Sequence, residues 1–150
     1  MLRHLFYRGV LFVWTLSVAT VAWGVPCTGV DRGLTVTRRQ SLAPIISKHL
    51  QPEFGGLADG GIRLAPEDIL QSFRGGRWHI IYVNSGVSDE PFLFYRDDPL
   101  RSSSYFLLWS GAAAQDEGPA IRRWLQAAMP GMPQRLAVCF AWHVTQARDM

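Results

Sequence analysis

The feature that most limits how this chain can fold is a pair of cysteines near its two ends, Cys27 and Cys139, with no other thiol anywhere in the 150 residues. In an exported protein an isolated pair is most simply one intramolecular disulfide. Such a bond closes a loop of more than a hundred residues. Chain entropy assigns a crosslink of that span about 4.7 kcal/mol, often less in practice. Two buried free thiols and an intermolecular bridge are the competing readings. No Cys-x-x-Cys is present, so neither redox nor zinc chemistry is indicated.

Whether the pair oxidises depends on the compartment, and the start of the chain bears on that. Arg3, His4 and Arg8 form a basic segment, followed by an uncharged run over 9–25 centred on Leu11, Phe12, Val13, Trp14 and Leu16. Ala22 and Gly24 then put small residues at the two positions a signal peptidase reads. The expectation is a signal peptide over 1–24 and a single exported domain over 25–150, periplasmic or secreted. An uncleaved anchor is the alternative, but the run falls short of the ~20 residues a spanning helix needs and ends in Gly-Val-Pro. Pro26 before Cys27 argues against lipidation. Removing 1–24 leaves 13 basic and 12 acidic residues, a formal charge of +1. That balance gives no electrostatic case for nucleic acid, and contact with a membrane is expected only through the signal segment.

The run 136–145 shapes the expected architecture. At period two, Leu136, Val138, Phe140, Trp142 and Val144 share one face and Ala137, Cys139, Ala141, His143 and Thr145 the other, which reads as a strand buried on both sides. Upstream, 25–40 reads as an extended lead-in. Ser41 is placed to cap a short helix over 42–50, with Leu42, Ile45, Ile46 and His49 at helical spacing. The glycine-rich 55–61 is a surface loop with no phosphate-cradle motif. Pro66, Glu67 and Asp68 signal a second helix burying Ile69, Leu70 and Phe73 and ending at Gly75-Gly76. Runs at 77–84, 92–96 and 104–109 read as strands, joined by connectors of meander length. A helix over 119–129, with Ile121, Trp124, Leu125 and Ala128 on one side, then serves as a crossover. The predicted class is α+β: a four-stranded mixed β-sheet made of a three-strand meander, a crossover helix and a final strand, covered by helices.

In that topology Asn84, Asp89, Glu90, Ser110, Asp116, Glu117 and His143 share one end of the sheet. Four carboxylates and a histidine there would suit a hard cation or an acid/base pair. Ordinary structural roles weigh more: Asp116 and Glu117 complement a helix dipole, and 89–91 is a polar loop. Ser110 lacks the flanking glycines of a nucleophile elbow, with Leu108 and Ala112 in those places. His79 and His143 would meet as metal ligands only if the last strand lay beside the first, and no third ligand has fixed spacing. No cofactor and no metal is indicated. Aromatic residues exceed what one sheet face needs to bury, which favours a partner surface. The functional expectation is a non-enzymatic binding or interaction protein of the cell envelope whose partner is an unidentified envelope or secreted macromolecule. The alternative is a small exported hydrolase or metal-dependent enzyme using the acidic rim with His143.

Overall fold

The computed structural model describes residues 26–147; the signal segment expected over 1–24 lies outside them. Among the described residues the fold is α+β, with a four-stranded sheet and three α-helices. The strands are β1 (Ile69–Gly75), β2 (Trp78–Val83), β3 (Phe92–Tyr95) and β4 (Leu107–Trp109). They lie in the order β1-β2-β3-β4, each antiparallel to its neighbour. The sheet is therefore antiparallel throughout where a mixed sheet was expected, and no crossover enters it.

The expected final strand is a helix. Residues Gln134–Gln146 form α3, and Gly118–Ala128 form α2 close to where the sequence placed it. The α3 sequence carries a helical stripe as well as the strand-like alternation. Leu136, Ala137, Phe140, Ala141 and Val144 recur at three- and four-residue steps and are all buried. Val138 and Trp142, which a strand would have placed beside Phe140, are only half-buried on the flank. The helix packs on the sheet face formed by Phe73, Trp78, Ile80, Tyr82, Phe92 and Phe94, together with Ile121 and Leu125 of α2. At its start the approach to the sheet is close: a Cβ on Gly75 would lie 3.1 Å from Leu136 Cβ.

The opposite sheet face is covered by α1 (Val36–Phe54). This helix begins earlier than its apolar stripe implies, because the Thr35 hydroxyl accepts the Arg38 amide (3.1 Å) and so serves as the N-cap. Ser41, the expected cap, instead donates to the Thr37 carbonyl within the helix (3.0 Å). The extended lead-in accordingly stops at Thr35. Leu42, Ala43, Ile46 and Leu50 pack on Ile69, Ile81, Val83, Leu93 and Tyr95. The result is three layers, helix, sheet and helices, which explains why every residue of β2 is buried.

The expected second helix is also corrected. Pro66–Asp68 makes one 3-10 turn, held by the Ala65 amide donating to Asp68 Oδ2 (2.8 Å), and the chain then enters β1. Gly75 pairs with Trp78 across a two-residue loop whose first member, Gly76, has φ +58°. A tight hairpin needs that conformation there, and glycine adopts it without steric cost. The same Gly-Gly would equally have terminated a helix.

The Cys27–Cys139 disulfide is present and joins the lead-in to α3. Beyond it, Asp31 and Arg74 exchange backbone hydrogen bonds (3.0 and 2.8 Å). That single bridge lays the lead-in along the outer edge of β1, covering part of an otherwise open edge. Among the described residues no helix is long and apolar enough to cross a membrane.

Candidate functional site

The lead-in, the first turn of α1, β1, β2 and the turn after β3 together enclose a polar cleft of about 270 Å³, lined by Asp31, Gly33, Thr35, Arg38, Ser72, Arg74, His79 and Asp98. Each position follows from local structure. Alternation along β1 and β2 puts Ser72, Arg74 and His79 on the α1 side, with Arg74 opposite His79 and Ser72 opposite Ile81 in the register. The Asp31–Arg74 bridge brings Asp31 and Gly33 over that edge. The Thr35 cap aims the start of α1 at the same place. Asp98 caps the 3-10 turn Pro99–Arg101 by accepting the Leu100 amide (3.1 Å).

Two ion pairs flank the histidine: Arg38 with Asp98 at 2.7 Å and Arg74 with Asp31 at 2.5 Å. Both are partly open to solvent, and pairs of that kind contribute about 0–1 kcal/mol to stability. Asp31 also accepts the Gly33 amide on its other oxygen (2.7 Å). The Gly33 amide, followed by the Arg74 guanidinium, holds Asp31 below its ordinary range, with burial acting in the opposite direction. For Asp98 burial works against the charge, but the Arg38 and Leu100 hydrogen bonds outweigh it and the carboxyl is again lowered.

His79 is 8% exposed, and no described residue hydrogen-bonds its ring. Burial holds it below the ordinary histidine range; Asp98 and Asp97 oppose that effect, and Arg38 and Arg74 add to it. The contrast with His49 is informative. That ring, 6% exposed, is satisfied on both nitrogens, with Nδ1 3.0 Å from the Tyr95 hydroxyl and Nε2 3.0 Å from the Ser102 carbonyl. His49 is a core histidine with a complete set of partners; His79 faces a cleft.

Both rings give a testable pH dependence. His49 is lowered chiefly by burial. With folded values below the unfolded 6.5, each ring binds fewer protons when folded, so its contribution is complete above pH 6.5 and is lost as pH falls below it. Asp31 and Asp98, lowered from 3.8, act in a separate acidic window: their contribution is present above that value and lost as pH falls through the folded values. The expected melting temperature is level from pH 8 to about 6.5, declines in one phase below that, and declines again below about 4. Calorimetry across pH checks this, and the double variant His49→Gln, His79→Asn should lose the first phase only.

The rim residues are distributed differently from the cleft. The antiparallel order sends the 84–91 connection and the end of β4 to one end of the sheet, and Gln146 Nε2 donates to the Gln115 carbonyl there (3.1 Å). Asn84, Asp89, Ser110, Asp116 and Glu117 are exposed at that end and Glu90 is half-buried. Asn84 accepts the Gly86 amide (3.1 Å) and Glu117 accepts the Ala114 amide (2.7 Å), both local structural bonds. His143 is 1% exposed, among the rings of Phe73, Tyr82 and Phe92 at centroid distances of 5.0, 6.3 and 5.8 Å. It lies on the α3 side of the sheet whereas His79 lies on the α1 side, so the two histidines do not meet. Among the described residues no three His, Cys, Asp or Glu side chains are gathered to hold a metal ion. The aromatic surplus is largely consumed by the two-sided core. Phe106, 46% exposed, stands against Trp78 with the Arg96 guanidinium 4.7 Å from its ring centroid.

Sequence reasoning weighed His79 only as a conditional companion of His143 and did not place it in the candidate rim. Its available signal was being the one residue able to carry a charge near neutral pH in a mostly apolar six-residue strand. Asp31, Arg38, Arg74 and Asp98 carried no local signal, since only the lead-in bridge and the sheet register assemble them. Comparison with known protein families, curated proteins and solved structures finds no match. The function has to be argued from the cleft itself.

Proposed function

We propose that this chain is exported to the periplasm or secreted, and acts there as a non-enzymatic binding domain for an envelope or secreted macromolecule received at the cleft around His79. The observation that carries the export half is the Cys27–Cys139 bond, because a structural disulfide persists in oxidising compartments and is rare in the cytosol. The leader-like anatomy of residues 3–24 supports the same reading. The binding half rests on a cleft of convergent polar groups held by three rigid elements, α1, β1 and β2. An enzyme using the rim with His143 has less support, since a catalytic acid or base must reach a substrate proton and this ring is enclosed by aromatic side chains.

Fractionation followed by affinity capture tests the proposal. The protein should be recovered outside the cytoplasm, and the immobilised oxidised protein should retain an envelope component that the Arg38→Gln, Arg74→Gln double variant does not. Recovery in the cytosol, or equal capture by native protein and variant, would defeat it.

A further inference from the structure

We infer that the His79 cleft is an oxyanion site, taking a carboxylate or a phosphate- or sulfate-type group of its ligand on Arg38, Arg74 and His79. This rests on the cleft being a binding site and names the chemistry it accepts. The cleft holds unspent hydrogen-bond donors. Both cleft carboxylates already hold an arginine: Asp31 accepts from Gly33 and Arg74 on its two oxygens, and Asp98 accepts from Arg38 and Leu100 on Oδ1. The two arginines are not. Each engages its carboxylate through Nη2 alone, so the remaining guanidinium donors have no acceptor among the described residues. The Ser72 hydroxyl and the His79 ring add further capacity. The start of α1 borders the same space through Thr35 and Arg38 and brings the positive end of its dipole there. An oxyanion supplies several acceptors for these donors in one small group.

A second observation is independent of the helix end. His79 is more than nine-tenths buried, lines the cleft, and has no hydrogen-bond partner among the described residues. Its charged surroundings are Asp31 on the lead-in, Arg74 on β1, Arg38 on α1, and Asp97 and Asp98 after β3. Burial first, then Arg38 and Arg74, disfavour the charged ring, against the opposing effect of Asp98 and Asp97. An anion placed between Arg38 and Arg74 favours the imidazolium, so binding takes up a proton and tightens as pH falls from 8 towards 6.

Sulfate and acetate are the probes, because neither changes charge across that range and they separate a tetrahedral oxyanion from a carboxylate. Titration followed by NMR should shift the His79 ring resonances and the amides of residues 35–38, and should raise the His79 titration midpoint. The probe with the tighter midpoint assigns the ligand group. Arg38→Gln should weaken binding about tenfold or more, the loss of one charge-assisted hydrogen bond. Arg122→Gln, on α2, should leave it unchanged. His79→Asn should retain weaker binding without the pH dependence. Should that variant fail to fold, Arg38→Gln and the native histidine titration still decide the matter. No response of the His79 ring to either anion at tens of millimolar overturns the inference, as does an affinity indifferent to both Arg38→Gln and pH. A response to glucose or guanidinium in place of the anions would overturn the anion class while leaving the binding-domain reading intact. Conversely, anion binding with no cleft-dependent capture from envelope extract would sustain this inference and remove that reading.

Discussion

Replacing both cysteines, Cys27→Ala with Cys139→Ala, is expected to lower the melting temperature by roughly 10–20 °C, and reducing the native protein should reproduce the loss. The bond spans 112 residues, so the unfolded chain it restrains is nearly the whole described fold. Losing a native disulfide from a small exported domain typically costs about 2–5 kcal/mol. For a domain of this size each kcal/mol corresponds to roughly 3–5 °C. Alanine is the right replacement because Cys139 is fully buried and a serine hydroxyl there would add a desolvation cost of its own. Thermal unfolding by circular dichroism, with and without reductant, makes the measurement. A variant melting within a few degrees of the native protein would mean that the rest of the fold already restrains the lead-in.

The second large effect is expected at Phe140→Ala, with a loss of about 3–5 kcal/mol. Phe140 is fully buried on α3 and stands at the junction of the sheet and both covering helices. Its ring lies 5.1 Å from Phe92, 5.0 Å from Phe94 and 6.0 Å from Trp109, centroid to centroid. These rings are anchored to β3 and β4 and have little freedom to close a void, so the cavity term adds to the lost transfer energy. Phe106→Ala, at a partly exposed ring, is the matched comparison and should cost about 1 kcal/mol or less. Urea unfolding with an unchanged slope would read both. Near-equal effects would contradict the placement of α3 on the sheet.

How much of this was legible depends on which residues are considered. The meander was readable because 78–83 and 92–95 combine branched and aromatic residues with clear connectors, and α2 because its stripe and its Gly-Pro start agree. The α3 sequence was misread because its large and small residues alternate at period two while its buried set also steps by three and four. A ten-residue apolar run lies at the length where helix and strand cannot be separated by pattern alone. Pro133, immediately before Gln134, was the overlooked helix-start cue. At 66–75 the first-turn signals Pro66, Glu67 and Asp68 are real, but they cap a single turn, and tertiary pairing with β2 decides the rest.

The site was less legible than the fold for a different reason. The disulfide needed only the count of two cysteines and a compartment. The cleft needs the lead-in to pair with β1, α1 to start at Thr35, and Asp98 to cap its turn, three events that leave no common mark on the sequence. The rim was derived from which end each connection occupies, and that logic could not reveal that a helix, not a strand, carries His143 into the core.

The most direct measurement is peptide mapping by mass spectrometry of the protein isolated from its native source, alkylated without prior reduction. The expected result is a chain starting at Val25, with Cys27 and Cys139 recovered in one crosslinked peptide pair. Alkylated thiols at both positions, with the Met1 end retained, would contradict it.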